Sequence, residues 1–122
     1  MVDKASAARR ILSISYDAVL LRTREMILAR AGYAVSSVSN LGDALQQCAT
    51  DHFDAVIVGH TLQTKDKRAI VAALKDNCSA PVLVLLRAGE ARIPGADSCV
   101  VAADGPAVML DALRQLLSAD GG

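Results

Sequence analysis

Two continuous or nearly continuous apolar runs limit the folds open to this chain more than any other feature: residues 53–58, where only Asp54 is polar, and residues 82–86. A strand with one face in water alternates apolar and polar residues, whereas a continuous run suits a strand buried on both faces of a parallel sheet. Shorter apolar segments occur over 11–15 and 98–103, and residues 33–38 alternate. The sequence therefore predicts five strands over these ranges.

Helical periodicity fills most of the spaces between the predicted strands. Apolar side chains recur every three to four residues after positions 18, 41, 64 and 104. Asn40, Thr64 and Asp104 are predicted to cap three of these helices, and Gly32 to end the first. The predicted inward faces are Leu20, Ile27, Leu28 and Ala31 on the first helix, and Met109, Leu110, Leu113, Leu116 and Leu117 on the last.

Alternation of strands and helices predicts an α/β fold, with a doubly wound five-stranded parallel sheet of flavodoxin-like order 2-1-3-4-5. One connection departs from this pattern, since residues 87–97 (RAGEARIPGAD) contain Pro94 and two glycines. We expect the fourth helix to be shortened or missing there. Sites in such sheets lie at the carboxyl ends of the strands, here near residues 15–17, 59–61, 86–88 and 102–103.

Length and composition predict a single domain over residues 10–118, with a flexible lead-in over 1–9 and a frayed tail over 119–122. The thirteen basic and thirteen acidic residues balance, which gives no electrostatic reason to expect nucleic acid or membrane as a partner. No segment approaches the roughly 20 apolar residues of a membrane span. Cys48, Cys78 and Cys99 lack CxxC spacing, so we predict reduced thiols and a cytoplasmic location.

The strand ends offer little for catalysis. The loop SYDAVLL after the first strand has no glycine to cradle a phosphate, and Asp17 is the only carboxylate there. His60 pairs in principle with Asp17, or activates Ser15 or Thr61, but a nucleophile also needs an orienting acid and an oxyanion hole. We therefore predict no catalytic residue, no metal and no cofactor.

Several segments together resemble the receiver domain of two-component response regulators. They are ILSISYDAVLLRTREMILARAGYAV, NLGDALQQCATDHFDAVIVGH, APVLVLL and GADSCVVA, and the likeness covers about residues 11–117. The resemblance implies a phosphorelay signalling domain. It also implies a pocket with an acidic pair that holds Mg²⁺, a phospho-acceptor aspartate, a Thr or Ser, a Lys and a mobile aromatic residue.

This chain departs from the family at each of those positions. The resemblance places Ser15 and Tyr16 at the acidic pair, followed by Asp17, and Gly59 at the acceptor, followed by His60. It places Leu86 at the hydroxyl residue, Cys99 at the aromatic residue and Ala102 at the lysine. We predict a degenerate pseudo-receiver, because Mg²⁺ needs several hard oxygen ligands and a glycine offers no nucleophile.

The resulting functional prediction is a non-enzymatic signalling module that binds a protein partner without phosphorylation. That partner is a kinase, a phosphotransfer protein or another regulator. Its predicted contact surface is the last helix or the altered loop, where Arg87, Glu90, Arg92 and Ile93 are expected to be exposed. The alternatives are a dimerising or ligand-sensing module, with a pocket lined by Ser15, Tyr16, His60 and Leu86, and an enzyme on the same scaffold.

Overall fold

All five predicted strands lie side by side in one sheet. The computed structural model describes the backbone of residues 8–121 and the side chains of residues 8–118. The strands are β1 (Arg10–Ile14), β2 (Ala34–Val38), β3 (Ala55–Val58), β4 (Val82–Leu86) and β5 (Ser98–Val101). Every pairing is parallel and the order is β2-β1-β3-β4-β5, which confirms the flavodoxin-like prediction.

Four α-helices connect or follow the strands. They are α1 (Ala18–Arg30), α2 (Leu41–Thr50), α3 (Thr64–Asn77) and α4 (Pro106–Gly121), and a short 3₁₀ turn covers Ala102–Asp104. Residues 87–97 contain no helix, which confirms the prediction for this connection. Gly89 and Gly95 there have φ values of 81° and 86°, a left-handed backbone that breaks a right-handed helix.

Only one of the three predicted helix caps is present. Asn40 caps α2, because its side-chain oxygen accepts from the Asp43 backbone N–H at 2.8 Å. Thr64 was predicted wrongly, since its hydroxyl donates to Glu90 Oε2 at 2.5 Å. Asp104 was also predicted wrongly, because it lies in the 3₁₀ turn and α4 begins only at Pro106. Proline suits that first helical position, where its missing N–H leaves no hydrogen bond unmade.

Each face of the sheet carries its own apolar layer, because neighbouring residues of a strand point to opposite faces. Helices α2 and α3 cover one face, and α1 and α4 cover the other. The core on the α2–α3 face includes Leu12, Ile14, Val56, Val58, Val82, Val84, Ile70, Val71, Leu74 and Ile93. The core on the α1–α4 face includes Ile11, Ala55, Ile57, Leu83, Leu85, Leu28, Met109, Leu113 and Leu117.

The inward face of α1 differs from the prediction. Its buried residues are Leu21, Arg24 and Leu28, so only Leu28 of the four predicted side chains is fully buried. These three positions follow the i, i+3, i+7 spacing of one helix face. A charged residue therefore occupies a core-facing position of α1. On α4, Met109, Leu113 and Leu117 are buried as predicted, and Leu110 and Leu116 pack partly against them.

Cys48 and Cys78 form a disulfide bond, which makes the prediction of reduced thiols wrong for these two residues. Their Cα atoms are 5.6 Å apart, within the usual range for a bonded pair. The bond joins α2 to the residue that follows α3, and these helices are neighbours on one face. The two cysteines are 30 residues apart in the sequence, so the sequence alone did not indicate that they are close in space. Cys99 is a free thiol.

The domain limits remain a prediction. The lead-in expected over residues 1–9 lies largely outside the described residues, as does Gly122. Helical backbone continues to Gly121, into the segment predicted to fray. Among the described residues, no helix has the length and apolar character needed to cross a membrane. The cytoplasmic location is not tested by this finding, and disulfides are rare in reducing compartments.

Candidate functional site

The polar groups at the carboxyl end of β1 make hydrogen bonds that cap the beginning of α1. Asp17 accepts from the backbone N–H groups of Val19 and Leu20 at 2.9 and 3.1 Å, and it is the N-cap of the helix. The buried Ser15 hydroxyl oxygen accepts from the Asp17 backbone N–H at 3.1 Å. Tyr16 is 54% exposed. These polar groups therefore serve the local turn and the solvent.

The end of β3 approaches the end of β1 closely. Gly59 donates its backbone N–H to the Ile14 carbonyl at 2.8 Å. A Cβ atom on Gly59 would lie 3.1 Å from both Ile14 O and Ser15 Cβ. Such distances are tighter than ordinary van der Waals contact, so glycine at this position lets the two strand ends meet. The predicted neighbours Ser15 and Gly59 are indeed brought together.

The ends of β4 and β5 present apolar groups. Leu86 is buried in the core of the α2–α3 face, and Cys99 packs partly against that core. Ala102 begins the 3₁₀ turn and lines a cavity on the opposite, α1–α4 side. The pocket predicted from Ser15, Tyr16, His60 and Leu86 is therefore not formed as one site. Of those four residues, only His60 lines a cavity on the α1–α4 side.

His60 lies two residues beyond the end of β3 and has a lowered imidazole pKa. Burial lowers its pKa below the usual 6.5, and the positive charges of Arg24, Lys67 and Arg87 lower it further, while Asp17 opposes them. Its Nδ1 atom is buried and has no hydrogen-bond partner among the described residues. Thr61, the next residue, is exposed. No described contact links His60 to Ser15 or Thr61 as a base to a nucleophile.

A buried ion pair fixes the loop after β4. Glu90 accepts from Lys67 Nζ and Thr64 Oγ1 at 2.5 Å each, and from the Arg87 backbone N–H at 2.9 Å. Burial alone would raise the pKa of the Glu90 carboxyl. The hydrogen bonds from Lys67, Thr64 and Arg87 outweigh it and hold this pKa at about 2. The loop is thereby tied to α3 by a fully ionised carboxylate.

Only two of the four residues predicted to form a contact surface on this loop are exposed. Arg87 and Arg92 are exposed, as predicted. Glu90 was predicted wrongly, because its side chain is 6% exposed and is held by Lys67. Ile93 was also predicted wrongly, since it packs into the core of the α2–α3 face, on the side that a fourth helix would otherwise cover.

Arg24 and Lys67 are the buried charged residues that the sequence analysis missed. Both are less than one-tenth exposed. Arg24 shares its helix face with Leu21 and Leu28, and Lys67 precedes Ile70 by one helical turn. The signal was present in that spacing, because a charged residue in an apolar helical stripe points toward the core. Neither residue follows a strand end, which is where sites in such sheets are expected.

Comparison with solved structures identifies the architecture. A CheY-like response regulator receiver domain from Methanospirillum hungatei JF-1 is 20% identical, with a TM-score of 0.76 over 91% of this chain and 94% of that one. The Thermotoga maritima response regulator TrrA, solved in complex with the histidine kinase ThkA, is 18% identical, with a TM-score of 0.78 over 89% and 98%. The chain has the receiver-domain fold.

A third receiver-fold relative is closer in sequence. A response regulator protein from Burkholderia pseudomallei, solved with a phosphorylated aspartic acid, a calcium ion and citrate, is 27% identical. Its TM-score is 0.73, over 93% of this chain and 71% of that one. No sequence model of a protein family matches the chain, and no curated protein sequence is significantly similar to it.

The receiver resemblance implies a Mg²⁺ site, and the residues present do not fit one. The one carboxylate at the end of β1, Asp17, already accepts two backbone N–H groups. Ser15 is engaged by the Asp17 N–H, and Gly59 contributes no side chain. Across residues 8–118, no group of three His, Cys, Asp or Glu side chains is placed to hold a metal ion. Magnesium prefers six oxygen ligands in near-octahedral geometry, which this arrangement does not supply.

Proposed function

We propose that this chain is a receiver-fold signalling module that binds a protein partner without being phosphorylated. One observation carries the proposal: the residue that follows β3 is Gly59, which has no nucleophile, and a Cβ there would lie 3.1 Å from Ile14 O and Ser15 Cβ. An aspartate at this position would need these neighbours to shift. The resemblance places the acceptor aspartate at this residue.

The neighbouring groups support the same proposal. Phosphoryl transfer relies on cations and donors that stabilise charge on the transferred group. Leu86 and Ala102 offer neither a hydroxyl nor a cation where the resemblance places them. The buried Lys67 does not replace the missing lysine, because its ammonium group is already paired with Glu90.

The partner surface that we propose is an apolar ridge on and before α1, formed by Tyr16, Val19 and Met26. Val19 is 74% exposed, and Tyr16 and Met26 are 54% exposed. Val19 and Met26 are seven residues apart, so they lie on one side of the helix. Exposed apolar side chains grouped in this way are a feature of protein-binding surfaces. Arg87 and Arg92, exposed on the loop after β4, remain a second proposed contact.

A solved structure of the same fold supports the proposed class of partner. TrrA, which shares this fold, was solved in complex with the histidine kinase ThkA. We propose that the partner of this chain is likewise a histidine kinase, a phosphotransfer protein or another regulator. The proposed ridge does not include Gly59.

Phosphorylation is tested with acetyl phosphate and Mg²⁺, followed by intact-protein mass spectrometry. We expect no mass gain of a phosphoryl group, while a receiver domain with an acceptor aspartate gains one in a parallel reaction. In a matching NMR experiment, beryllofluoride with Mg²⁺ leaves the amide resonances of Asp17, Gly59 and Leu86 unmoved. A mass gain of one phosphoryl group, or beryllofluoride-dependent shifts at these three residues, would refute the proposal.

Partner binding is tested by affinity capture from cells of the source organism, with captured proteins identified by mass spectrometry. We expect the wild-type protein to retain a kinase or phosphotransfer protein whether or not a phosphodonor is added. Val19→Glu with Met26→Glu abolishes this retention. Arg114→Glu, an exposed change on α4, preserves it. Capture that needs a phosphodonor, or that survives the double change on α1, contradicts the proposed mode of binding.

A further inference from the structure

A cavity of about 150 Å³ lies between α1 and the beginning of α4. Its walls are largely apolar, with Leu20, Ile27, Leu85 and Met109 among the lining residues. Three polar side chains, Thr23, Arg24 and His60, also line it, and the Thr23 hydroxyl already donates to the Val19 carbonyl at 3.0 Å. This cavity is separate from the ion pair of Lys67 and Glu90 and from the exposed ridge on α1.

Arg24 is an unusual residue to find in such a cavity. It is 6% exposed, and its Nη1 atom is buried with no hydrogen-bond partner in the described part of the chain. Desolvation by burial lowers the pKa of the guanidinium group, which nonetheless stays charged near neutral pH because its ordinary pKa is 12.5. A buried cation without a partner is costly, and native proteins normally pair it with an anion.

The other polar features of the cavity also suit an anion. The Nδ1 atom of His60 is buried and unpartnered, so it is available to a ligand as a donor or an acceptor. The beginning of α4 at Pro106 lines the same cavity, and the first turn of this helix holds no acidic residue. A helix N-terminus carries positive partial charge. Asp17 is the acidic residue that influences His60, and its carboxylate is already capping α1.

We propose that this cavity binds a small organic anion, namely a carboxylate carried on a short aliphatic chain. Arg24 supplies the single compensating charge, and the apolar walls contact the chain. At about 25–30 Å³ for each non-hydrogen atom, the volume matches a carboxylate of roughly three or four carbon atoms. Inorganic phosphate suits the cavity poorly, because a doubly charged ion needs more donors than these walls provide.

The site stands apart from phosphotransfer and from partner binding. The resemblance places the lost lysine at Ala102, and Ala102 and Arg24 line the same cavity. A cation from α1 therefore faces the space beside that position. The proposal goes beyond the proposed function and does not depend on it, because it requires neither a protein partner nor the absence of phosphorylation.

The test is an NMR titration of the full chain with butyrate, in parallel with butyramide and inorganic phosphate at constant ionic strength. We expect saturable amide shifts with butyrate, concentrated in residues 20–27, at His60 and in residues 102–109. Butyramide has nearly the same shape without the charge, and we expect its affinity to be at least about tenfold weaker.

Two variants of α1 decide the role of the charge. Arg24→Met keeps an unbranched apolar stem and removes the cation, so we expect butyrate affinity to fall about tenfold or more. Arg22→Met, an exposed change on the same helix, leaves affinity unchanged. An equal response to butyramide or to phosphate overturns the proposal, as does unchanged binding in Arg24→Met. The comparison of ligands on the wild-type protein holds even where a variant misfolds.

Discussion

Lys67 Nζ lies 2.5 Å from Glu90 Oε1, with the lysine side chain fully buried and the glutamate side chain 6% exposed. Breaking one side of a buried pair leaves an uncompensated charge in a medium that solvates it poorly. We therefore expect Glu90→Gln to destabilise the fold by about 3 kcal/mol in urea unfolding.

The double variant Lys67→Met with Glu90→Gln tests whether the two residues stabilise the fold as a pair. Because the two residues contact each other, the cost of the double change is expected to fall below the sum of the single costs. Arg114→Met, which breaks an exposed pair with Asp111, serves as the control and changes stability by less than about 1 kcal/mol. Strictly additive costs would show that Lys67 and Glu90 do not act as a unit.

Acid unfolding is expected to depend on Glu90. Its pKa of about 2 in the folded protein lies below the ordinary value of 4.5, so ionisation favours the folded state above pH 4.5. This contribution, of about 3 kcal/mol at most, is lost as the pH falls from 4.5 to about 2. Urea unfolding at a series of pH values measures it. Glu90→Gln flattens the stability profile in that window, and an identical profile in both proteins would contradict the assignment.

A side chain at position 59 is expected to be destabilising. Gly59→Ala places a Cβ 3.1 Å from Ile14 O and Ser15 Cβ, and both belong to the closely packed strand ends. We expect a loss of about 1–3 kcal/mol in thermal or urea unfolding. Adding Ser15→Gly removes the crowded contacts with Ser15 Cβ and Oγ, leaves the one with Ile14 O, and restores part of the loss. Gly59→Ala as stable as the wild-type protein would show that the strand ends separate easily.

The Cys48–Cys78 bond is expected to stabilise the folded state by restricting the unfolded chain. A loop of this length corresponds to about 3–4 kcal/mol in the chain-entropy account. Replacing both cysteines by serine lowers stability by that order, and a reducing agent destabilises the wild-type protein and Cys99→Ser but not this double variant. Cys99→Ser is the control, because Cys99 is not bonded. Equal sensitivity of all three proteins to reduction would count against the bond.

Arg24→Met is expected to raise the stability of the ligand-free protein by about 1–3 kcal/mol, because it replaces a buried unpaired cation with an apolar side chain. Urea unfolding measures the change, with the exposed Arg22→Met variant expected to stay within about 0.5 kcal/mol of wild type. A residue that costs stability and is nonetheless present is consistent with a binding role. A clear loss of stability in Arg24→Met would instead make Arg24 a structural residue.

The sequence was sufficient to predict the sheet and its strand order, because apolar runs such as β4 are continuous and alternate with periodic helices. The helix-free segment after β4 was also predictable from Pro94 and its glycines. The residues that cap the helices were harder to predict. Threonine is a common helix-capping residue, yet the Thr64 hydroxyl donates to Glu90, which is 26 positions away in the sequence. Local propensity cannot anticipate such a distant partner.

The site was harder to predict than the fold, because its main features are contacts between segments far apart in the chain. Ser15 and Gly59 were expected at neighbouring strand ends and do meet there. Glu90 and Ile93 were expected at the surface, since a polar loop gives no sign that it folds back onto α3. Arg24 was overlooked because charged residues are mostly exposed, and only its spacing from Leu21 and Leu28 marks it as buried.

The contacts that hold the loop after β4 have a consequence for how such a protein would transmit a signal. Glu90 ties the loop to Lys67, while Ile93 is seated in the core, so this part of the surface is held in one shape. A partner that recognises an unchanging shape responds to the number of copies present. Control would then pass to synthesis and degradation, and the relevant signal would be the cellular concentration of the protein.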